Sequence, residues 1–311
     1  MIAVVGVVVL GATGAFFSDT ETSTGNTFTA GAIDLQVDNH AWYNGLECTD
    51  YGNLEGYFTW QGDAGGDPYL ESLLGDQCES SWELSDLDGH LFFNFEDLKP
   101  GDWEEDTISL HVNNNDAWMC STLAITSNDD NDVTEPEDNE VDELDTPALD
   151  NPNGDDDDWD GELADALNFI FWADDGDNVL ESDESVVLSG APADLIENGD
   201  EYGEDGWSQT FPIADANFSI FGDGPVAGDT TVYIGKAFCF GNLEQYPVYQ
   251  GTVQGPVDHD PAVDPGFTCS GQLVNNITQT DGITGDLSFM AVQSRNNEAF
   301  TCDPSDEEGV N

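Results

Sequence analysis

The chain has 311 residues, 38% of them hydrophobic, and its 66 acidic side chains face only three basic ones, which gives a formal net charge of -63. This balance excludes nucleic-acid backbones and anionic membrane surfaces as partners, because almost nothing in the chain can neutralise phosphate groups. At molar salt the Debye length falls to about 3 Å, so the repulsion between carboxylates becomes short-ranged. The composition therefore indicates a halophile's protein, and the 17 Phe, 8 Trp and 8 Tyr spread among the acids predict a folded core rather than an acidic disordered tail.

The first segment is an apolar leader. Residues 2–17 carry no charge, and this run is too short for a comfortable membrane span but typical of the hydrophobic region of a signal peptide. We expect residues 1–15 to be a signal peptide, truncated at its start because the usual basic region is missing. Cleavage would leave residues 16–30 as a polar N-terminal arm and residues 31–311 as one extracellular domain with no remaining tie to a membrane.

Many short strands follow the arm. Ile33, Leu35 and Val37 alternate with polar residues, which is the period-2 pattern of a strand with one buried face. Similar patterns, separated by turn signals, make strand candidates of residues 32–40, 56–60, 90–98, 106–114, 118–127, 185–190, 217–222, 230–241 and 286–294. The sequence therefore predicts an all-β, antiparallel β-sandwich.

An acidic surface insertion interrupts these strands. Residues 129–162 contain 17 Asp and Glu, no Lys or Arg and one aromatic residue, so they cannot bury enough surface to order themselves. Apolar patterning resumes directly afterwards. We predict one short helix from about Gly161 to Leu167, leading into a strand that contains Phe169 and Phe171.

The cysteine count is even. Six cysteines in an exported chain suit three disulfides out of fifteen possible pairings, and the absence of any CxxC spacing argues against a zinc knuckle. Order along the chain alone favours the pairs Cys48 with Cys78, Cys239 with Cys269, and Cys120 with Cys302. Buried free thiols are the alternative.

One loop is rich in oxygen ligands. Residues 172–185 crowd carboxylates and an amide around a glycine turn, and Ca²⁺ prefers six to eight such hard ligands. The spacing does not fit the EF-hand template, because Val179 falls on a ligand position. One interpretation is a calcium site, in which the ion is a cofactor that the fold does not require. The other is a solvated acidic hairpin tip. The candidate ligands are Asp174, Asp175, Asp177, Asn178, Glu181 and Asp183.

Catalytic patterns are missing from the sequence. The four histidines are scattered singly, with no HExxH arrangement for a catalytic zinc, and no GxSxG element or P-loop is present. The sequence therefore favours a protein that is not an enzyme. Asn217 and Asn276 begin N-glycosylation sequons, which matter because the chain is expected to be exported.

Three stretches carry a family resemblance. The leader element "GATGAFFSDTE" followed by "STGNTFTAGAIDLQV", together with "LKPGDWEEDTISLHVNNND" at 98–116, is similar to the TasA and camelysin family of exported proteins. Residues 276–302 resemble the C-terminal portion of its haloarchaeal members. The resemblance covers about a quarter of the chain directly and implies a jelly-roll sandwich, secretion and polymerisation into biofilm-matrix fibres.

In such fibres the freed N-terminal segment of one subunit becomes a strand in the next. The resemblance implies a polymerisation arm in this chain. Its residues would be Phe16, Phe17, Thr20, Thr22, Thr24, Thr27 and Phe28. The physics agrees, because Thr and Phe suit strands and strand addition supplies a ladder of backbone hydrogen bonds. The alternatives for residues 16–30 are a flexible terminus or an ordinary first strand of their own sandwich.

Three functions follow, in order of preference. The first is the structural subunit of an extracellular filament or pilus that serves a biofilm matrix or cell adhesion, with further copies of itself as its partner and minor pilin or anchor subunits left open. The second is a monomeric cation-binding surface or matrix protein. The third is a secreted protease, since camelysin relatives have been described as metalloproteases.

Overall fold

A computed structural model describes the chain over residues 18–22, 34–52, 56–87, 90–92, 98–129, 161–198, 200–201, 207–249 and 260–302. The described strands are β1 (Ser18–Thr22), β2 (Asp34–Tyr43), β3 (Leu46–Asp50), β4 (Phe58–Gln61), β5 (Trp82–Ser85), β6 (Trp103–Asn113), β7 (Ala117–Asp129), β8 (Leu167–Asp174), β9 (Val186–Gly190), β10 (Asp200–Glu201), β11 (Trp207–Ala214), β12 (Thr230–Phe240), β13 (Asn242–Gln245), β14 (Phe267–Ser270) and β15 (Gly282–Gln293). The described helices are α1 (Pro68–Leu73), α2 (Leu163–Ala166) and α3 (Pro192–Asn198).

Two antiparallel sheets form the body of the protein. The first has the strand order β1-β15-β7-β11-β10. The second has the order β4-β3-β2-β6-β12-β8-β9, with β5 also paired to β2, and β13 and β14 form a separate hairpin. The prediction of an all-β antiparallel sandwich is confirmed.

Local sequence explains the longest pairings. Leu35 and Val37 are fully buried while Gln36 and Asp38, which alternate with them, are half-buried, so β2 has the predicted alternation. The turn from β2 to β3 is Asn44-Gly45, with φ of 48° and 81°. Two consecutive residues of positive φ are what a two-residue hairpin of right-handed twist requires, and Asn-Gly is the pair that adopts them most readily.

The main core lies between the two sheets. It takes buried side chains from β2, β6, β8 and β12 of one sheet and from β7, β11 and β15 of the other. Phe92 joins this core from a loop, with its ring centre 6.0 Å from that of Phe289 on β15. A second, smaller cluster covers the outer face of the larger sheet and contains Ile170, Trp172, Leu180, Ala237 and Phe267.

The disulfide pairing that chain order favoured is confirmed. Cys48 bonds Cys78, Cys120 bonds Cys302, and Cys239 bonds Cys269. The first bond ties β3 to the loop after α1, the second ties β7 to the segment beyond β15, and the third ties β12 to β14. Each disulfide therefore joins the sandwich to a segment that the strand ladders hold less firmly.

Three local predictions need correction. The described chain holds three short helices instead of one, because α1 and α3 each start at a proline, a residue suited to the first turn of a helix. Residues 217–222 do not form a strand, because the Asp215 carboxylate accepts the backbone N–H groups of Asn217 and Phe218 and closes a turn. In the candidate at 90–98, residues 90–92 and 98 lie outside strands, and residues 93–97 lie outside the described chain.

Two further predictions concern the segment after β7. The predicted short helix and the strand after it are α2 and β8. Of the acidic insertion, residues 130–160 lie outside the described residues. No helix within the described ranges combines the length and the apolar character needed to cross a membrane.

Candidate functional site

The N-terminal strand β1 lies at the open edge of the smaller sheet. It pairs antiparallel with β15, in a register that places Ser18 opposite Val292 and Thr22 opposite Ser288. On its other edge β15 pairs with β7 along most of its length. Among the described strands β1 thus has one ladder partner, and its pairing extends over five residues.

The strand that receives β1 is anchored in the core. Leu287, Phe289 and Ala291 of β15 are buried in the main core. These three side chains anchor β15 from inside, and its backbone groups on the other side pair with β1. An edge strand of this kind is a template for strand addition.

The structure describes part of the predicted polymerisation arm. Thr20 and Thr22 lie in β1, opposite Met290 and Ser288 of the same chain. In the single chain this is the arrangement of an ordinary first strand, which the sequence left open as an alternative. The other predicted arm residues lie outside the described chain, namely Phe16, Phe17, Thr24, Thr27 and Phe28.

The acidic loop after β8 is organised by Asp174. One of its carboxylate oxygens accepts the Thr107 hydroxyl at 3.1 Å and the Gly176 N–H at 3.1 Å. The other accepts the Trp172 indole N–H at 3.3 Å. Gly176 and Asn178 have φ of 108° and 63°, so the chain turns sharply under this carboxylate. Asp174 therefore attaches the loop to the sheet.

Glu184 closes the loop from its far side. Its two oxygens accept the N–H of Asp175 at 3.0 Å and the N–H of Glu181 at 2.9 Å. The loop held between Asp174 and Glu184 brings one ligand oxygen from each of Asp175, Asp177 and Glu181 within 4.8 Å of one another. We call these three residues the carboxylate triad. Asp183, in the same loop, is exposed and lies outside the triad.

Buried polar atoms accompany the triad. Glu181 is 1% exposed and Asn178 is fully buried, and none of their side-chain oxygen and nitrogen atoms has a hydrogen-bond partner among the described residues. Buried polar groups are nearly always paired, because an unpaired one costs free energy on folding. A cation held by the triad would compensate the Glu181 carboxylate and the Asn178 carbonyl, and Ca²⁺ favours such ligands.

Burial and mutual repulsion hold protons on this cluster. Burial raises the pKa of Glu181 to about 8 and that of Asp174 to about 7. Glu105, a fully buried residue of β6, has its pKa raised well above the usual range by burial and then by Asp106, Asp174 and Asp177. Sequence reasoning missed Glu105, because only the pairing of β6 and β8 on either side of β12 brings it near the loop.

The raised pKa of Glu181 predicts a pH-dependent stability. Its pKa is 4.5 ordinarily and about 8 in the folded chain, so the folded state binds this proton more tightly than the unfolded state. The stabilisation is present below about pH 4.5 and is lost as the pH rises toward 8. With chelator and constant molar KCl, the unfolding free energy of the wild type minus that of Glu181→Gln should fall over this range in urea titrations. A difference that rises with pH would contradict this assignment.

The described histidines do not form a site. His40 lies 2.9 Å from Glu47, His111 lies 2.8 Å from Asp38, and the ring of His90 stacks on Trp82. His259 lies outside the described residues. Each described histidine thus has a local partner of its own.

Both glycosylation candidates are accessible. The side chains of Asn217 and Asn276 are exposed. Asn217 lies in the turn after β11, and Asn276 begins a single 3₁₀ turn. Their positions leave room for a glycan, and glycan occupancy stays a prediction.

Comparison with known proteins adds no assignment. Neither the models of known protein families nor the curated proteins searched gave a match to this chain. The edge strand β1 and the acidic loop after β8 are the features of this chain that bear on its function.

Proposed function

We propose that the mature protein is a non-enzymatic structural subunit of an extracellular filament of a halophile, joined by exchange of its N-terminal strand. The observation that carries the proposal is the position of β1, a short strand at the open edge of the smaller sheet whose one ladder partner among the described strands is β15. The family resemblance of the leader and arm points to the same joint. The partner is a second copy of this chain, with minor pilin or anchor subunits as further partners.

Exchange conserves the pairing of β1. If β1 of one subunit leaves β15 of its own chain and pairs with β15 of the next, the same backbone hydrogen bonds form between chains. Domain swapping works in the same way, because the exchanged element makes the same contacts and the free-energy cost is small. Because the arm leaves one end of a subunit and enters a different surface of its neighbour, the joint is head-to-tail and yields an open filament.

The rest of the molecule suits an extracellular polymer. Three disulfides hold the sandwich, and such bonds persist outside the reducing cytoplasm. The formal charge of -63 keeps single subunits apart at low salt, whereas molar salt screens the repulsion and allows contact.

Electron microscopy of the mature protein tests the proposal. In molar salt the purified protein should form filaments, and dilution to about 0.1 M salt, where the Debye length reaches roughly 10 Å, should loosen them. Filaments that stay intact when the salt is diluted would mean that other bonds between subunits outweigh carboxylate repulsion. Compact monomers under all salt conditions would contradict the filament proposal itself.

The second candidate function is a monomeric cation-binding surface protein. It is favoured by one observation, namely that Glu181 of the carboxylate triad and the neighbouring Asn178 are buried with side-chain atoms that have no hydrogen-bond partner among the described residues. Such a site fits Ca²⁺ better than a transition metal, because its donors are oxygens. It is also compatible with a filament, in which it would stiffen each subunit.

Calcium should stabilise the folded protein through this loop. At a free Ca²⁺ concentration 100 times the dissociation constant, the unfolding free energy should rise by about 2.7 kcal/mol. Glu181→Gln and Asp177→Asn should each abolish the rise, while the matched control Asp183→Asn, an exposed acid of the same loop, should retain it. Urea unfolding at constant molar KCl measures the effect. An equal calcium response in all four proteins would place the cation elsewhere.

A further inference from the structure

One of the three basic residues of the chain is buried in the core. Lys236 lies near the middle of β12, which runs between β6 and β8 in the larger sheet, and it is fully buried. Ile234 and Phe238, the residues two positions before and after it, belong to the main core between the sheets. Lys236 therefore projects into an apolar interior, where an isolated ammonium is very costly.

Two carboxylates of β6 surround the amine. Lys236 Nζ contacts an Asp106 carboxylate oxygen directly and donates to Glu104 Oε2 at 3.2 Å. It also donates to the Phe92 backbone carbonyl at 2.9 Å. Asp106 lies directly opposite Lys236 in the strand register, and both carboxylates are fully buried. The three polar ends therefore meet at one point inside the sandwich.

The surroundings exclude water. On the other side of β12 the register partner of Lys236 is Phe171, a buried core residue. Phe92 and Phe238 are buried nearby in the same core, and Phe289 of the opposite sheet packs on Phe92. In this setting one positive charge faces two carboxylates, so the group carries a net negative charge if all three are ionised. Burying such a group is unfavourable even when its members are paired.

We propose that Lys236 and Asp106 form an intramolecular amide bond, with Glu104 as the catalytic proton carrier. The inference rests on the direct contact of Nζ with the Asp106 carboxyl, on the burial of all three groups among aromatic side chains, and on the cross-strand register. It does not depend on whether the chain forms filaments or binds a cation.

The reaction is a condensation that needs no oxidant or further reactant. Transfer of a proton from the Lys236 ammonium to the Asp106 carboxylate gives a neutral amine and a neutral acid. The Nζ lone pair then attacks Asp106 Cγ, and protonated Glu104 gives its proton to the leaving hydroxyl and takes one from Nζ, so that it ends protonated as it began. The C–N bond forms, the C–O bond breaks, and one water molecule leaves.

The electrostatics of the core favour the protonated forms of Glu104 and Asp106. Burial raises the pKa of Glu104 well above its usual range and that of Asp106 to about 6. Burial lowers the pKa of Lys236, but its two acidic neighbours outweigh burial and raise it. The raised pKa keeps the proton on the amine, so the reactive neutral amine arises only when that proton passes to Asp106 within the group. Condensation removes both charges of the Lys236–Asp106 pair from the apolar interior, which supplies a driving force.

The bond would lock the centre of the larger sheet. It joins β6 to β12, two of its longest strands, through their side chains as well as their backbones. The covalent loop from Asp106 to Lys236 encloses β7, β8 and the acidic insertion. Pulling or heating could not separate β6 from β12 at this point without breaking the covalent bond. If the bond survives, the unfolded chain still contains the closed loop.

Peptide mass spectrometry tests the proposal. Folded wild-type protein is purified in molar salt, reduced, alkylated and digested with a protease that cuts after aromatic residues. We expect a branched peptide that joins Lys236 to Asp106, with a mass one water below the sum of its two arms. Recovery of only the two linear peptides from folded wild-type protein would overturn the proposal.

Variants separate the roles of the three residues. Asp106→Ala and Lys236→Met should give linear peptides only, and Glu104→Gln, which is nearly isosteric, should do the same while circular dichroism shows it folded. Asp106→Asn should restore the branched peptide with release of ammonia instead of water. The control Lys99→Met, at an exposed lysine 4.4 Å from the ring centre of Tyr69, should retain the bond. A branched peptide in folded Glu104→Gln at the wild-type rate would remove Glu104 from the mechanism.

Discussion

Removal of residues 16–29 from the mature protein is expected to abolish filaments while leaving a folded monomer. The deletion takes away β1, whose one ladder partner among the described strands is β15. β15 itself stays anchored by buried Leu287, Phe289 and Ala291 and by its ladder with β7. The sandwich should therefore keep its fold and lose its means of joining a neighbour.

Negative-stain microscopy and circular dichroism in molar salt measure the two halves of this expectation. A synthetic peptide of residues 16–29, added to the deletion variant, provides the control. It should refill the open edge of β15 and raise the melting temperature without restoring filaments, because a free peptide does not link two subunits. Normal filaments from the deletion variant would rule out the arm as the joint.

Loss of the Cys120–Cys302 disulfide is expected to be the most destabilising of the three cysteine changes. This bond spans 182 residues, whereas the other two span 30 residues each. A cross-link that closes a longer loop removes more entropy from the unfolded chain, which gives about 5 kcal/mol for the long loop and about 3.5 kcal/mol for a short one.

The matched comparison is Cys120→Ala/Cys302→Ala against Cys239→Ala/Cys269→Ala. In both pairs at least one cysteine is fully or almost fully buried. Urea unfolding in molar salt should show the larger loss for the long-range pair. Equal losses would mean that native packing around the sulfurs, and not the unfolded chain, sets the contribution of each bond.

The sandwich was predictable because its strands carry local signals. The alternation around Leu35 and Val37, and the apolar runs that became β7, β12 and β15, identify strands without knowledge of their partners. The disulfides followed from chain order. The strand prediction for residues 217–222 is wrong because it rests on their apolar content alone. The Asp215 carboxylate accepts the N–H groups of Asn217 and Phe218, which a strand would use in its ladder.

Long-range pairing was not predictable from the sequence. The triad of Asp175, Asp177 and Glu181 is local and was contained in the predicted loop, but the contribution of Glu105 depends on strand neighbours distant along the chain. The core position of Lys236 has a signal in the sequence, since Lys236 is two residues from both Ile234 and Phe238 and so shares their strand face. Its carboxylate neighbours became visible only through the register of β6 and β12.

A register-matched cross-link tests most directly whether β1 pairs between chains. Thr20 lies opposite Met290, so Thr20→Cys/Met290→Cys places two thiols across this one joint. Protein assembled in molar salt, oxidised and run on a non-reducing denaturing gel should give a ladder of covalent multimers, and Thr20→Cys alone and Met290→Cys alone should not. A single monomer band, with the new disulfide mapped by mass spectrometry within one chain, would contradict strand exchange.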